Sequence, residues 1–202
     1  MVKVAIFDYG AGNIFSLKNS LEKEGATVDV ITTFDKPNNY SGLLLPGVGN
    51  FDPAIKSIHE HSTIKFKDYV KDEIPVLGIC LGMEMFFERS EEGNEKGLSV
   101  IDGEVIELPS SMKIPHMGWN NLEIKKPGKI LEGVDDDSWV YFVHSFRVKP
   151  NSEEVITAES DYGIKVPAVV EKNNFFGTQF HPEKSGKVGS IMIQNFLKEC
   201  KN

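Results

Sequence analysis

The sequence predicts an α/β fold with a mostly parallel central sheet flanked by helices and additional antiparallel strands in the C-terminal half. Two observations carry this. Short apolar runs alternate with helical stretches through the first half. In the second half, strand-like runs are separated by Gly, Pro, Asn and Asp before one last amphipathic helix.

Each element has a local cause. Residues 2–7 form a β-branched, nearly continuous apolar run, as in a strand buried on both faces. Residues 8–13 turn the chain. Residues 14–24 then place Ile14, Leu17 and Leu21 on one helical face until Gly25 stops the helix. Residues 27–32, 42–45 and 74–79 read as further strands, and residues 52–71 and 83–89 as helices. Beyond them, residues 98–108, 119–124, 139–144, 154–159, 165–171 and 174–180 are strand-like. In the final helix, residues 187–200, a stripe joins Val188, Ile191, Met192, Phe196 and Cys200, which makes Cys200 a core residue. No internal repeat and no Gly- or Ser-rich linker interrupts the chain, so one domain is expected over residues 1–202.

Composition narrows the function. The 202 residues are 40% hydrophobic, enough for a buried core, which excludes a disordered chain. The 22 basic against 30 acidic side chains give a net charge of −8, so no nucleic-acid partner is expected. No apolar run approaches the roughly 20 residues of a membrane span. The N-terminal run meets Asp8 without a small-residue cleavage site, so no signal peptide and no membrane association are expected. The expected location is the cytoplasm, where Cys80 and Cys200 stay free thiols. Asp135-Asp136-Asp137 reads as a solvated turn, and no His, Cys or Asp spacing suggests a metal or other cofactor.

Cys80 stands out. An apolar strand runs into Gly78-Ile79-Cys80-Leu81-Gly82, and a helix follows. This is the strand–turn–helix geometry that lifts a nucleophile out of a sheet, and the glycines relieve crowding on either side. The following helix would aim its free N–H groups and positive end at the sulfur, favouring the thiolate. The plainer alternative is a packed cysteine in a glycine-kinked strand. Among five histidines, His59 and His61 lie on a polar helix, and His116 and His144 read as satisfied structural side chains. His181 differs: it ends a strand-like run, and Glu183 follows two residues on, across Pro182. A carboxylate so placed can orient the ring and stabilise imidazolium.

Gly78-Ile79-Cys80-Leu81-Gly82 with His181-Pro182-Glu183 resembles the class I (triad) glutamine amidotransferases. The resemblance extends through residues 8–13, 45–49, 115–120, 141–145 and 177–185, in order, and is greatest to the glutaminase subunits of imidazole glycerol phosphate synthases. It implies a flavodoxin-like three-layer fold. It also implies hydrolysis of L-glutamine through a thioester on Cys80, with His181 moving protons and Glu183 orienting it. By resemblance, Gly47, Val48, Gly49 and Leu81 form the oxyanion site, and Glu84, Ser145 and Phe146 fall in the substrate pocket. The implied partner is a (β/α)8-barrel synthase, joined as a heterodimer through Gly10, Asn13, Trp119 and Lys184, and receiving the ammonia.

Two departures bear on substrate handling. Glu84 stands where the family carries glutamine, and an ionised carboxylate accepts hydrogen bonds but donates none. Phe146 replaces a hydroxyl-bearing ring. Three other readings compete: a paralogous glutaminase serving another synthase, such as one aminating a surface sugar; a silent regulatory protein; and a general cysteine hydrolase.

Overall fold

The computed structural model describes residues 2–10, 12–34, 39–61 and 74–201. Its strands are β1 (Lys3–Phe7), β2 (Thr27–Ile31), β3 (Gly42–Leu45), β4 (Val76–Ile79), β5 (Arg89–Ser90), β6 (Gly103–Glu107), β7 (His116–Asn121), β8 (Glu123–Ile124), β9 (Trp139–His144), β10 (Phe146–Pro150), β11 (Ile156–Asp161), β12 (Lys165–Lys172) and β13 (Phe175–Thr178). The helices are α1 (Ile14–Lys23), α2 (Phe51–His61), the single turn α3 (Leu81–Glu84) and α4 (Gly186–Glu199).

Eight strands form one sheet in the order β2-β1-β3-β4-β13-β12-β11-β8. The first five pair in parallel, and the last three are added antiparallel. Successive strand residues point to opposite faces, so an all-apolar strand feeds two cores at once. Val4, Ile6, Leu44, Leu77 and Phe176 pack under α1 and α4, against Leu17, Leu21, Met192 and Phe196. Ala5, Phe7, Leu43, Leu45 and Phe175 pack on the other face against Ala54, Ile55 and Ile58 of α2. Each large side chain so buried contributes about 1.5–3 kcal/mol. Two smaller sheets lie beside this one: β10-β6-β5, and the antiparallel ribbon β7-β9.

The predicted three-layer arrangement is the one observed, with local corrections. The helix predicted over residues 83–89 ends at Glu84. Residues 81–87 are all buried, a run of seven that would cover every side of a helix and leave it no solvent face. The Phe87 and Phe86 carbonyls instead receive Ser99 N–H and Val100 N–H, while Leu98 N–H bonds Met85 O. Residues 98–102 are thereby a packed loop, and only β6 remains of the strand expected over 98–108. The strand expected from 154 begins at Ile156, because Ser152 Oγ accepts from Glu154 N–H at 3.3 Å and caps a short 3-10 turn. The ribbon strand begins at His116, three residues ahead of the predicted start, and β10 was not anticipated. The buried face of α4 is turned toward Ile193 and Leu197, leaving Ile191 half-buried; Cys200 is buried as expected. The part of the expected 52–71 helix beyond His61 lies outside the described residues. Among the described residues no helix is long and apolar enough to cross a membrane.

Candidate active site

Cys80 sits at the end of β4 with φ 51° and ψ −109°, in the left-handed region that side chains seldom occupy. Main-chain bonds on both sides hold it there: Cys80 N–H to Thr178 O at 2.7 Å, and Glu84 N–H to Cys80 O at 3.0 Å. Strain at a sharp turn persists only where the surroundings enforce it. Gly82 enforces it from one side, since a Cβ there would run into the Leu45 carbonyl oxygen. A Cβ on Gly78 would come within 2.5 Å of Gly82 O. The predicted strand–turn–helix device is therefore present.

Its electrostatic effect is not as predicted. Burial pushes the Cys80 thiol well above its ordinary range and Glu84 pushes it further; the Leu81 N–H and the Gln179 amide pull it back only in part. A four-residue helix supplies little dipole, and the thiol of a residue only 6% exposed feels its desolvation more. The resting sulfur is a thiol, and it donates to Val143 O at 3.7 Å.

His181 is held by its backbone and aimed by its side chain. Its N–H bonds Tyr141 O at 2.9 Å, and its carbonyl accepts from the buried Ser185 hydroxyl at 2.7 Å. Nδ1 lies 2.9 Å from Glu183 Oε1, and since a carboxylate only accepts, Nδ1 carries a proton there; in the neutral ring this leaves Nε2 as the acceptor. Nε2 is buried without a hydrogen-bond partner among the described residues. The expected His181–Glu183 contact is present.

A cavity of about 360 Å³ opens over the sulfur. Of the predicted substrate residues, Val48, Gly49, Leu81, Glu84, Ser145 and Phe146 line it together with Cys80; Gly47 lies outside the lining. Gly49 has φ 136°, a conformation reserved for glycine. Sequence reasoning missed Glu92, Val143 and His144 in this wall. It also missed Gln179, fully buried, whose Nε2 donates to Glu84 Oε1 at 3.1 Å and lies 3.8 Å from Cys80 Sγ. Only its place one step ahead of the Phe180-His181 pair pointed to it. Burial raises the Glu84 carboxyl to about 8.

His116 and His144 are structural in the sense expected, and they are coupled. His144 Nδ1 donates to Phe146 O at 2.7 Å, which leaves its Nε2 to accept from His116 Nδ1 at 3.0 Å. His116 is stacked between Phe142 and Tyr162. Burial lowers His116 to about 4 and His144 to about 3. Both fold neutral, and an unfolded histidine titrates near 6.5. The stability they contribute is therefore complete above about pH 6.5 and is lost as pH falls through 4 toward 3. Thermal melts should show Tm falling between pH 6.5 and 4, and falling less in His116→Gln. Equal slopes for the two proteins would contradict the assignment.

The four residues expected at a partner interface are all at the surface. Gly10 and Asn13 are exposed before α1, where Asn13 Oδ1 caps the helix by accepting Ser16 N–H at 3.3 Å; Ala11 between them lies outside the described residues. Trp119 meets the Tyr141 ring edge-on at 6.0 Å, and Lys184 Nζ lies 5.8 Å from the centre of the same ring. Trp119 and Lys184 thus both lie against Tyr141, and α1 packs beside the turn that carries Lys184. Asp135, Asp136 and Asp137 form the exposed turn expected, accepting from Ile124 N–H and Asn121 Nδ2.

Comparison with known proteins agrees with this geometry. The family model "Glutamine amidotransferase class-I" matches residues 5–200. "Imidazole glycerol phosphate synthase subunit HisH" of Archaeoglobus fulgidus is 44% identical over 201 residues, covering 98% of this chain and 99% of that protein. The protein of the same name from Desulfitobacterium hafniense is 42% identical over 197 residues, covering 96% and 93%. Among solved structures, PurLQS from Thermotoga maritima superposes with a TM-score of 0.77 at 18% identity, covering 98% of this chain and 99% of that one. A second solved structure, of a glutamine amidotransferase, gives 0.75 at 18% identity, covering 98% and 99%. At those identities the likeness is one of fold.

Proposed function

The chain belongs to the class I glutamine amidotransferases, and from that premise we propose that it is the glutaminase subunit of an imidazole glycerol phosphate synthase in histidine biosynthesis. It splits L-glutamine into glutamate and ammonia, and a (β/α)8-barrel partner consumes the ammonia. The observations that carry the chemistry are a thiol at the foot of a 360 Å³ cavity and, behind that lining, a buried imidazole whose Nδ1 meets a carboxylate at 2.9 Å. The names borne by relatives that are 42–44% identical over nearly the whole chain support the pathway.

In the proposed mechanism Cys80 Sγ attacks the side-chain amide carbon of glutamine as His181 Nε2 takes the thiol proton. The carbonyl oxygen becomes an oxyanion, which the Leu81 N–H and the Gly47-Val48-Gly49 main chain stabilise. Collapse breaks the C–N bond, and imidazolium gives its proton to departing ammonia. Water then adds to the thioester with His181 as base, releasing glutamate and restoring the thiol. The raised thiol pKa fits this order: the proton leaves for His181 as the bond forms, so no standing thiolate is needed.

The docking face we assign is the outer side of the β7-β9 ribbon. Met117, Trp119 and Trp139 are 62%, 52% and 58% exposed there, an apolar surface that a partner would cover. Val143, on the same ribbon, lines the cavity, so the docked partner would sit next to the site of ammonia release. The single 1–202 domain would present this face in a heterodimer. The deciding experiment assays glutamine hydrolysis by the purified chain with and without the barrel partner and that partner's nucleotide ligand. Hydrolysis should rise when both are present. Hydrolysis indifferent to the barrel would refute the assignment to such a synthase.

Glu84 also yields an expectation. Below about pH 8 the neutral acid can donate to the substrate as an amide does; above it, the carboxylate cannot, and it repels the glutamine α-carboxylate. Glu84→Gln should lower the KM for glutamine, most of all above pH 8. An unchanged or higher KM there would count against this role.

A further inference from the structure

The fully buried Gln179 side chain joins two acids. Its Nε2 donates to Glu84 Oε1 at 3.1 Å and lies 3.8 Å from Cys80 Sγ, so the two hydrogens of one amide serve a carboxyl and a sulfur. Its Oε1 is buried without a partner, so nothing else among the described residues fixes the amide's orientation. Glu84 is 4% exposed. The titratable groups that act on Cys80 and Glu84 or share their surroundings are Glu92 beyond β5, Tyr9 beyond β1, His144 in the cavity wall, and the His181–Glu183 pair beyond β13. His144 is held uncharged by burial, Glu92, Tyr9 and Glu183 are acids, and His181 is the one base, the group that takes the sulfur's proton in the proposed mechanism.

The thiol now spends its hydrogen on Val143 O. A thiolate has no hydrogen to give, and the Leu81 N–H and Gln179 Nε2 are then the fixed donors that face it, beside whatever the His181 ring returns. An ionised Glu84 would place a second negative charge on the same amide, in a setting where burial leaves little screening. From this geometry we infer that Gln179 is a positioning residue that ties Cys80 and Glu84 into one unit able to carry a single negative charge, so that the sulfur ionises only while Glu84 keeps its proton. The inference deepens the glutaminase reading, because it makes the departure at position 84 a brake on the nucleophile as well as a change in the substrate pocket.

The test needs neither glutamine nor a partner. The rate of Cys80 alkylation by iodoacetamide is followed by mass spectrometry, which separates it from Cys200, across pH 6–9.5 in the full chain and in Glu84→Gln. The two should react alike near pH 6.5. Above about pH 8 the variant should pull ahead, reaching about tenfold by pH 9.5, the effect of one pKa unit of coupling. Parallel profiles across the range would overturn the proposal. Gln179→Met should slow alkylation of Cys80 at pH 9.5; a lower Tm with an unchanged rate there would make Gln179 merely structural and also overturn it. If that variant does not fold, the Glu84→Gln comparison decides alone. Parted profiles in a chain that hydrolyses no glutamine would refute the function and leave this coupling intact; parallel profiles in an active glutaminase would do the reverse.

Discussion

Cys80→Ala is expected to abolish glutamine hydrolysis while the assembled pair still makes product from added ammonia. The alanine removes the atom that forms the thioester, and the cavity wall holds no second thiol: Val48, Leu81, Val143 and Phe146 are apolar, Glu84, protonated there, is a poor nucleophile, and Ser145 offers only a hydroxyl, a weak nucleophile unless a base activates it. The loss should be about 10⁴-fold or more, on the scale that removal of a covalent nucleophile has elsewhere. Cys80 lies beneath the cavity and the ribbon's outer face is untouched, so docking survives. Loss of both activities in a complex that still forms would contradict the division of labour between the two proteins.

Glu183→Gln should have the next largest effect. The carboxylate fixes the proton of His181 on Nδ1, leaving Nε2 free to accept. A glutamine can instead offer an N–H to Nδ1, which would drive the proton to Nε2 and remove the base. In serine triads the comparable change costs about 10⁴-fold in kcat, and a loss of about 10²–10⁴-fold is expected here. KM should change little, since Glu183 lies outside the cavity lining. A fall of less than tenfold in kcat would mean that the ring is oriented by its backbone bonds to Tyr141 and Ser185 alone.

The sequence was most legible where chemistry and backbone are set by near neighbours. Gly78, Cys80 and Gly82 announce a sharp turn because the steric need is met within five residues. His181 and Glu183 announce an oriented base because they are two residues apart. The alternating first half gave its strands for the same reason, as continuous apolar runs between glycines. Legibility failed where long-range contacts decide. Residues 85–87 and 98–100 read as helix and strand, yet the chain folds them together so that the carbonyls of Met85, Phe86 and Phe87 accept from the N–H groups of Leu98, Val100 and Ser99. The thiol's raised pKa was invisible because it depends on how deeply residues far along the chain bury the sulfur. Gln179 stands 95 and 99 residues from the two acids it joins, and no periodicity reports such a meeting.

The same separation governs how the site comes into being. β13 lies between β4 and β12, and its register sets Thr178 beside Ile79. Until residues near 178 have left the ribosome, the nascent chain ends its sheet on a bare rim of Val76, Leu77 and Ile79, an apolar edge open to other unfinished chains. Slow closure over such a distance is the cost of this topology. A growing polypeptide carries the nucleophile long before it carries the base, so it stays inert toward glutamine, and exposed to clumping, until the late strand slots in.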